Sequence, residues 1–202
     1  MTAPEAPRDD DQVRGVQQGD EDAFAALYRR WQGPLYRFGL RMCGSPALAE
    51  DVTQEVFMAL IAGAGRFDPA RGSLPGYLFG IARNQVLRRL EKERPYVPLP
   101  DDEGEPRMDR LARGEDMLEE LARRQRLERV REAVLSLPPH YREVVVLCEL
   151  QRLSYVETAE ALGCAVGTVR SRLHRARALL LARLGQDEAA PLTAEARAGG
   201  TP

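Results

Sequence analysis

Apolar residues return every three or four positions along most of this chain, and nowhere do apolar and polar residues alternate long enough to make a strand. The pattern predicts helices throughout. AFAALYRRWQ follows Asp20, a candidate N-cap, with Glu21 and Asp22 at the electropositive end. PLYRFGLRMC is a second helix, opened by Pro34 and closed by Gly44. A third starts where Ser45 precedes Pro46, a cap followed by a first helical position, and runs to about Gly63. The stretch AGRFDPARGSLPG is a loop by its prolines and glycines. Ser73 is placed to cap the next helix, YLFGIARNQVLRRLEKER, and Leu74, Leu78, Ile81 and Ala82 mark its buried side. Gly80 weakens that helix. Residues 1–19, polar and acidic, read as a loose arm.

The periodicity breaks at YVPLPDDEGEPRMDRLARGEDMLEE. From Asp101 to Glu120 there are nine acids against three arginines, a net charge of -6, and prolines stand at 95, 98, 100 and 106. This predicts a flexible acidic linker, partly helical toward its end. The chain then divides into a front module at 20–94, a linker at 95–121 and a rear module at 122–184. A linker of this length would let each module face a different partner surface. Four helices are expected behind it: one through LERVREAVLSL, stopped by Pro138 and Pro139; one in HYREVVVLCEL; and two in SYVETAEALGCAVGTVRSRLHRAR. The fold class is all-α, with two small helical domains.

The last two helices carry the clearest chemistry. Ser154 and Glu157 have capping-box spacing, Ala159 is small where two helices would cross, and Gly163 stands where a sharp turn needs positive φ. Gly167-Thr168 opens the final helix. Val169, Leu173, Ala176 and Leu180 form one apolar stripe on it; Ser171, His174, Arg175 and Ala178 lie opposite, and Arg170, Arg172 and Arg177 flank the edges. From Gly167 to Gly185 there are five arginines and no acid. An ordinary solvated helix would also show an arginine face. The capping box, turn glycine and acid-free face together favour a helix-turn-helix whose second helix enters the major groove. Thr168, Ser171 and Arg175 are then placed for base edges, with Arg170, Arg172 and Arg177 for phosphates. The formal charge of -2 over 202 residues does not oppose this, because the linker and the acidic front offset a local +5.

The front module shows two further faces. In AEDVTQEVF, Glu50, Asp51, Gln54 and Glu55 gather at one-turn spacing, while Val52, Val56 and Ala59 supply the buried side. That acidic-amide face is either solvated or a docking face for a basic helical partner. In RFDPARGSLPGYLFGIARNQVLRRL, Phe67, Tyr77 and Phe79 lie near Arg83, Asn84, Arg88 and Arg89. Rings beside arginines suit unpaired bases and their backbone, although the same rings also read as core.

Cys43, Cys148 and Cys164 have neither metal-ligand nor redox spacing and read as small buried hydrophobes. No acid–base pair, nucleophile constellation or phosphate-cradling glycine loop is evident, so neither an enzyme nor a cofactor is expected. The first residues lack a signal-peptide pattern and no apolar run approaches a membrane span, which predicts a cytoplasmic protein without membrane insertion.

On DEDAFAALYRRWQGPLYRFGLRM, AEDVTQEVFMAL and FDPARGSLPGYLFGIARNQVLRRL in front, and LPPHYREVVVLCELQRLSYVETAEALGCAVGTVRSRLHRAR behind, the chain resembles the extracytoplasmic-function (ECF, group IV) sigma factors of the sigma-70 family. The resemblance covers about 20–94 and 125–184. It implies a sigma-2 domain and a sigma-4 domain that bind core RNA polymerase and direct it to promoter DNA. It assigns Asp51, Gln54 and Glu55 to polymerase docking, with Phe57 supporting their helix. Phe67, Tyr77, Arg83, Asn84 and Arg88 become -10 element contacts. Thr168, Arg170, Ser171, Arg172, His174, Arg175 and Arg177 become -35 element contacts. Tyr77 stands where relatives often carry tryptophan, Pro75-Gly76 where bulkier or more helical residues are usual, and Arg88 where relatives often carry aspartate. Pro75-Gly76 therefore predicts a late or loose start to the -10 helix. The linker takes the place of a sigma-3 domain, and its charge suggests mimicry of a nucleic-acid backbone. Relatives are often held by an anti-sigma factor. The rival reading is a two-domain helix-turn-helix regulator that acts without replacing sigma.

Overall fold

The computed structural model describes residues 9–63, 67–92 and 114–198, and among them every regular element is helical. The residues form two helical clusters, α1 to α4 and α5 to α8. Most of the expected acidic linker lies outside the described residues. Its last part is helical, since α5 already begins at Gly114.

α1 (Asp9–Gln17) corrects the reading of an arm over 1–19 from Asp9 onward, while residues 1–8 lie outside the described residues. Val13 is buried against α2, and the approach is close: a Cβ on Gly15 would stand 2.6 Å from the Cβ of Ala23. One well-placed valine in a polar segment was too little periodicity to read from sequence. α2 (Glu21–Cys43) is capped by Asp20, whose Oδ1 accepts from the N–H groups of Asp22 (2.9 Å) and Ala23 (3.2 Å). It ends at Gly44, with φ at 74°. The expected break at Pro34 does not occur, and the helix runs through it. Leu27, Trp31, Leu35, Phe38 and Met42 keep one buried stripe across that point. Burying such side chains is worth about 1.5–3 kcal/mol each, which together outweighs a proline penalty of about 3 kcal/mol.

α3 (Pro46–Gly63) starts as expected, with the Leu48 N–H donating to Ser45 Oγ at 3.4 Å. It buries Ala49, Val52, Val56 and Leu60. α4 (Leu74–Lys92) begins earlier than the Pro75-Gly76 pair suggested. The reason is local. Ser73 Oγ accepts the Gly76 N–H at 3.2 Å, and Pro75 falls in the first turn, where no N–H is needed. Phe79 meets Phe38 edge to face at 5.4 Å, tying α4 to α2.

Behind, α5 (Gly114–Leu135) is exposed over residues 121–130, and Ala133 and Val134 turn inward. α6 (Pro139–Val145) widens into a π-type turn at Val146–Leu150, and Val144 to Leu147 are all buried. α7 (Tyr155–Leu162) has both halves of its capping box: Glu157 N–H to Ser154 Oγ at 3.2 Å and Ser154 N–H to Glu157 Oε2 at 2.7 Å. Gly163 adopts φ 61°. α8 starts at Val166 and continues to Ala198, beyond the expected end of the rear module.

The clusters pack against each other, with α7 along α4. Arg142 reaches from the rear to the Met42 carbonyl at the end of α2, and also donates to the Leu135 and Leu137 carbonyls. Its burial pulls the guanidinium pKa below its usual value. The three cysteines are only partly buried, at the edge of the core.

Candidate nucleic-acid interface

On α8, Val169, Leu173 and Ala176 are buried and hold the helix to its module. Arg170, Ser171, His174 and Arg175 are exposed on the other side, with Thr168 half-buried at the first turn. The arginines differ in how firmly they are held. Arg170 lies over the Tyr155 ring at 5.8 Å, which restricts a long side chain before any ligand arrives. Arg177 is paired with Glu149, which raises its pKa. Arg172 turns inward, its Nη1 3.3 Å from Glu143 Oε1. Ser171 Oγ donates to the Thr168 carbonyl at 3.0 Å.

The residues proposed from sequence on the front module are less uniform. Asn84 and Arg88 are exposed on α4. Phe67 is buried, 7% exposed, and packs on Tyr77 with ring centroids 5.4 Å apart. Arg83 is not turned to solvent. Its Nε lies 2.7 Å from Glu143 Oε2, on the rear module. One buried carboxylate thus holds an arginine from each cluster. Sequence periodicity gave no signal for it, because Glu143 sits inside an apolar run and its partners are 60 and 29 residues away.

Asp51 and Gln54 are exposed on α3, while Glu55 is bound to Arg89 of α4 at 2.7 Å. That bond raises the Arg89 pKa. Phe57 is buried and packs edge-on against Phe24 and at a tilt against Tyr28, so it braces α3. Beside Gln54 lies an open groove of about 820 Å³ between α2 and α3. Its rim carries Tyr28, Met58 and Ile61, which are 40%, 60% and 54% exposed. These apolar residues escaped the sequence reading. The signal was there: α3 has more apolar positions than Val52, Val56 and Leu60 need for one inward stripe.

Among the described residues no three His, Cys, Asp or Glu are grouped to hold a metal ion, and no helix is long and apolar enough to cross a membrane.

Residues 27–96 match sigma-70 region 2 and residues 127–180 match sigma-70 region 4. The ECF RNA polymerase sigma factor SigW of Bacillus subtilis is 31% identical, over 85% of this chain and 94% of that protein. This chain belongs to the ECF sigma factors of the sigma-70 family. ECF sigma factors direct RNA polymerase holoenzyme to promoters, and they are not enzymes. The ECF sigma factor SigE of Mycolicibacterium smegmatis is 36% identical over 79% of this chain, which spans 62% of that longer protein. Among solved structures, CnrH in complex with the cytosolic domain of CnrY is similar, with a TM-score of 0.68, 28% identity, and coverage of 89% of this sigma factor and 98% of that chain.

Proposed function

We propose that this sigma factor, working in the cytoplasm, places its polymerase through two DNA-reading helices and one docking face. The sigma-4 domain, 122–184, reads the -35 element with Thr168, Arg170, Ser171, Arg172, His174, Arg175 and Arg177. The observation that carries this is the sidedness of α8: a buried apolar stripe opposite exposed Ser171, His174 and Arg175. The sigma-2 domain, 20–94, meets the -10 element with Tyr77, Arg83, Asn84 and Arg88, and Phe67 supports Tyr77 from beneath. The acidic linker, 95–121, joins the two. Core RNA polymerase docks on Asp51, Gln54 and Glu55, with Met58 and Ile61 extending the surface into the adjoining groove. An anti-sigma factor is a further proposed partner; the similar CnrH was solved in complex with another protein domain, the cytosolic domain of CnrY.

Run-off transcription with purified core enzyme on a panel of genomic promoters tests this reading. Transcripts appear only when sigma and core are both present. Arg175→Ala is expected to weaken use of -35-dependent promoters by about 1–3 kcal/mol, roughly 5- to 150-fold. Unchanged transcription from Arg170→Ala and Arg175→Ala together overturns the assigned reading face.

A further inference from the structure

Tyr155 is a large aromatic residue that stands outside the buried core of the rear cluster. It is the first residue of α7, directly after the N-cap Ser154, and its ring is 38% exposed. The reciprocal hydrogen bonds between Ser154 and Glu157 fix its backbone. From there the ring reaches the flank of α8, where the Arg170 guanidinium carbon lies 5.8 Å from the ring centroid. The three flanking arginines of α8 are thus held in two different ways. Arg172 is paired with Glu143 and Arg177 with Glu149, so each must release or share a carboxylate before it meets a phosphate. Arg170 has no ion pair among the described residues, and it rests on the ring instead. A carboxylate holds an arginine by occupying its charge and its donors. A ring face holds it through the ring quadrupole and leaves both available to a ligand.

Arginine loses much rotamer freedom when it is pinned to a ligand, and a side chain ordered beforehand loses less. We propose that Tyr155 is a positioning residue for promoter reading: its ring sets Arg170 against the flank of α8 before DNA arrives, and the guanidinium meets a -35 phosphate already ordered. Tyr155 acts through Arg170 and makes no DNA contact of its own. The proposal rests on the reading of Arg170 as a -35 phosphate contact. Phosphate contacts fix the register of a recognition helix and carry no base information. Tyr155 therefore helps to set how α8 seats in the groove, while Ser171, His174 and Arg175, exposed beside Arg170, keep the choice of bases. Sparing the ordering cost of one such side chain corresponds to about 3- to 10-fold in affinity.

The experiment is a double-mutant cycle on holoenzyme, assembled from full-length sigma and purified core. Binding is measured to a promoter fragment selected with wild-type holoenzyme. Tyr155→Phe keeps the ring, and Tyr155→Leu removes it while leaving an apolar side chain that suits a helix. Tyr155→Leu is also combined with Arg170→Ala, and circular dichroism melting confirms that each chain is folded. Tyr155→Leu should weaken binding about 3- to 10-fold, with Tyr155→Phe within about twofold of wild type. In the Arg170→Ala background the Tyr155→Leu loss should vanish. Arg170→Ala should lower the slope of log affinity against log salt by about 1, the share of one phosphate. Tyr155→Leu should leave that slope unchanged, because the arginine still reaches its phosphate. No loss with Tyr155→Leu, additive losses in the double variant, or a Tyr155→Phe loss as large as that of Tyr155→Leu overturns the positioning role while Arg170 stays a contact. Wild-type binding by Arg170→Ala overturns the contact reading itself, and the positioning role falls with it.

Discussion

Gly163 holds φ at 61° between α7 and α8, and no atom lies within 4 Å of where its Cβ would be. Gly163→Ala therefore meets no clash and carries only the left-handed backbone cost, about 1–2 kcal/mol. Urea denaturation should show that loss with an unchanged slope. Arg142 is the opposite kind of residue. Its guanidinium serves carbonyls at the ends of α2 and α5, so Arg142→Met should cost about 2–4 kcal/mol in the same measurement, leaving buried carbonyls unpaired. The two differ in how far they could be read in advance. Gly163 and the Ser154–Glu157 box were legible because turn and cap chemistry is local. Arg142 and Glu143 were not, since the Arg142–Met42 contact spans 100 residues and nothing in LPPHYREVVVL marks which charges face inward.

At the level of elements, local signals located starts and stops well and failed where packing overrode them. Ser45-Pro46 began α3 and Gly44 ended α2 as read, yet Pro34 did not interrupt α2, because the stripe from Leu27 to Met42 is buried on both sides of it. α1 was missed because its evidence is Val13 and a close approach at Gly15, a tertiary fact. A chain beginning at Asp20 loses that cover and should be less stable by about 1.5–3 kcal/mol, seen as a lower urea midpoint. On α5, Glu120 accepts hydrogen bonds from Arg123 and Arg124, which bring its pKa from 4.5 down to about 2. A carboxylate depressed in the folded state stabilises above its unfolded pKa, and that contribution fades as pH falls through the folded value. Hydrogen-exchange protection in α5, taken relative to the intrinsic amide rate at each pH, should accordingly fall slightly between pH 4.5 and 2, and Glu120→Gln should flatten the response.

For the molecule as a whole, charge segregation and helical periodicity in the sequence were enough to separate two helical clusters and to mark α8 as a helix with one apolar and one basic face. They did not show that the modules pack together, because the seam is made by Gly76 and Gly80, which read as helix weaknesses until α7 is seen against them. The exposed apolar rim of Tyr28, Met58 and Ile61 likewise lies outside the chain's own interior, and its proposed role is in assembly. Met58→Glu with Ile61→Glu should leave the melting temperature nearly unchanged and weaken holoenzyme formation, measured by gel filtration with core enzyme; unimpaired assembly would remove the groove from the docking face.

The two oxygens of Glu143 have a thermodynamic consequence. A phosphate that drew Arg172 away would leave the buried carboxylate with Arg83 alone and hold it more tightly, so release of the two arginines is linked through one side chain. Linkage is reciprocal: whatever factor release of Arg172 adds to the hold on Arg83, release of Arg83 adds to the hold on Arg172. Freeing the second arginine therefore costs more than freeing the first, and Glu143→Gln should make the two releases additive.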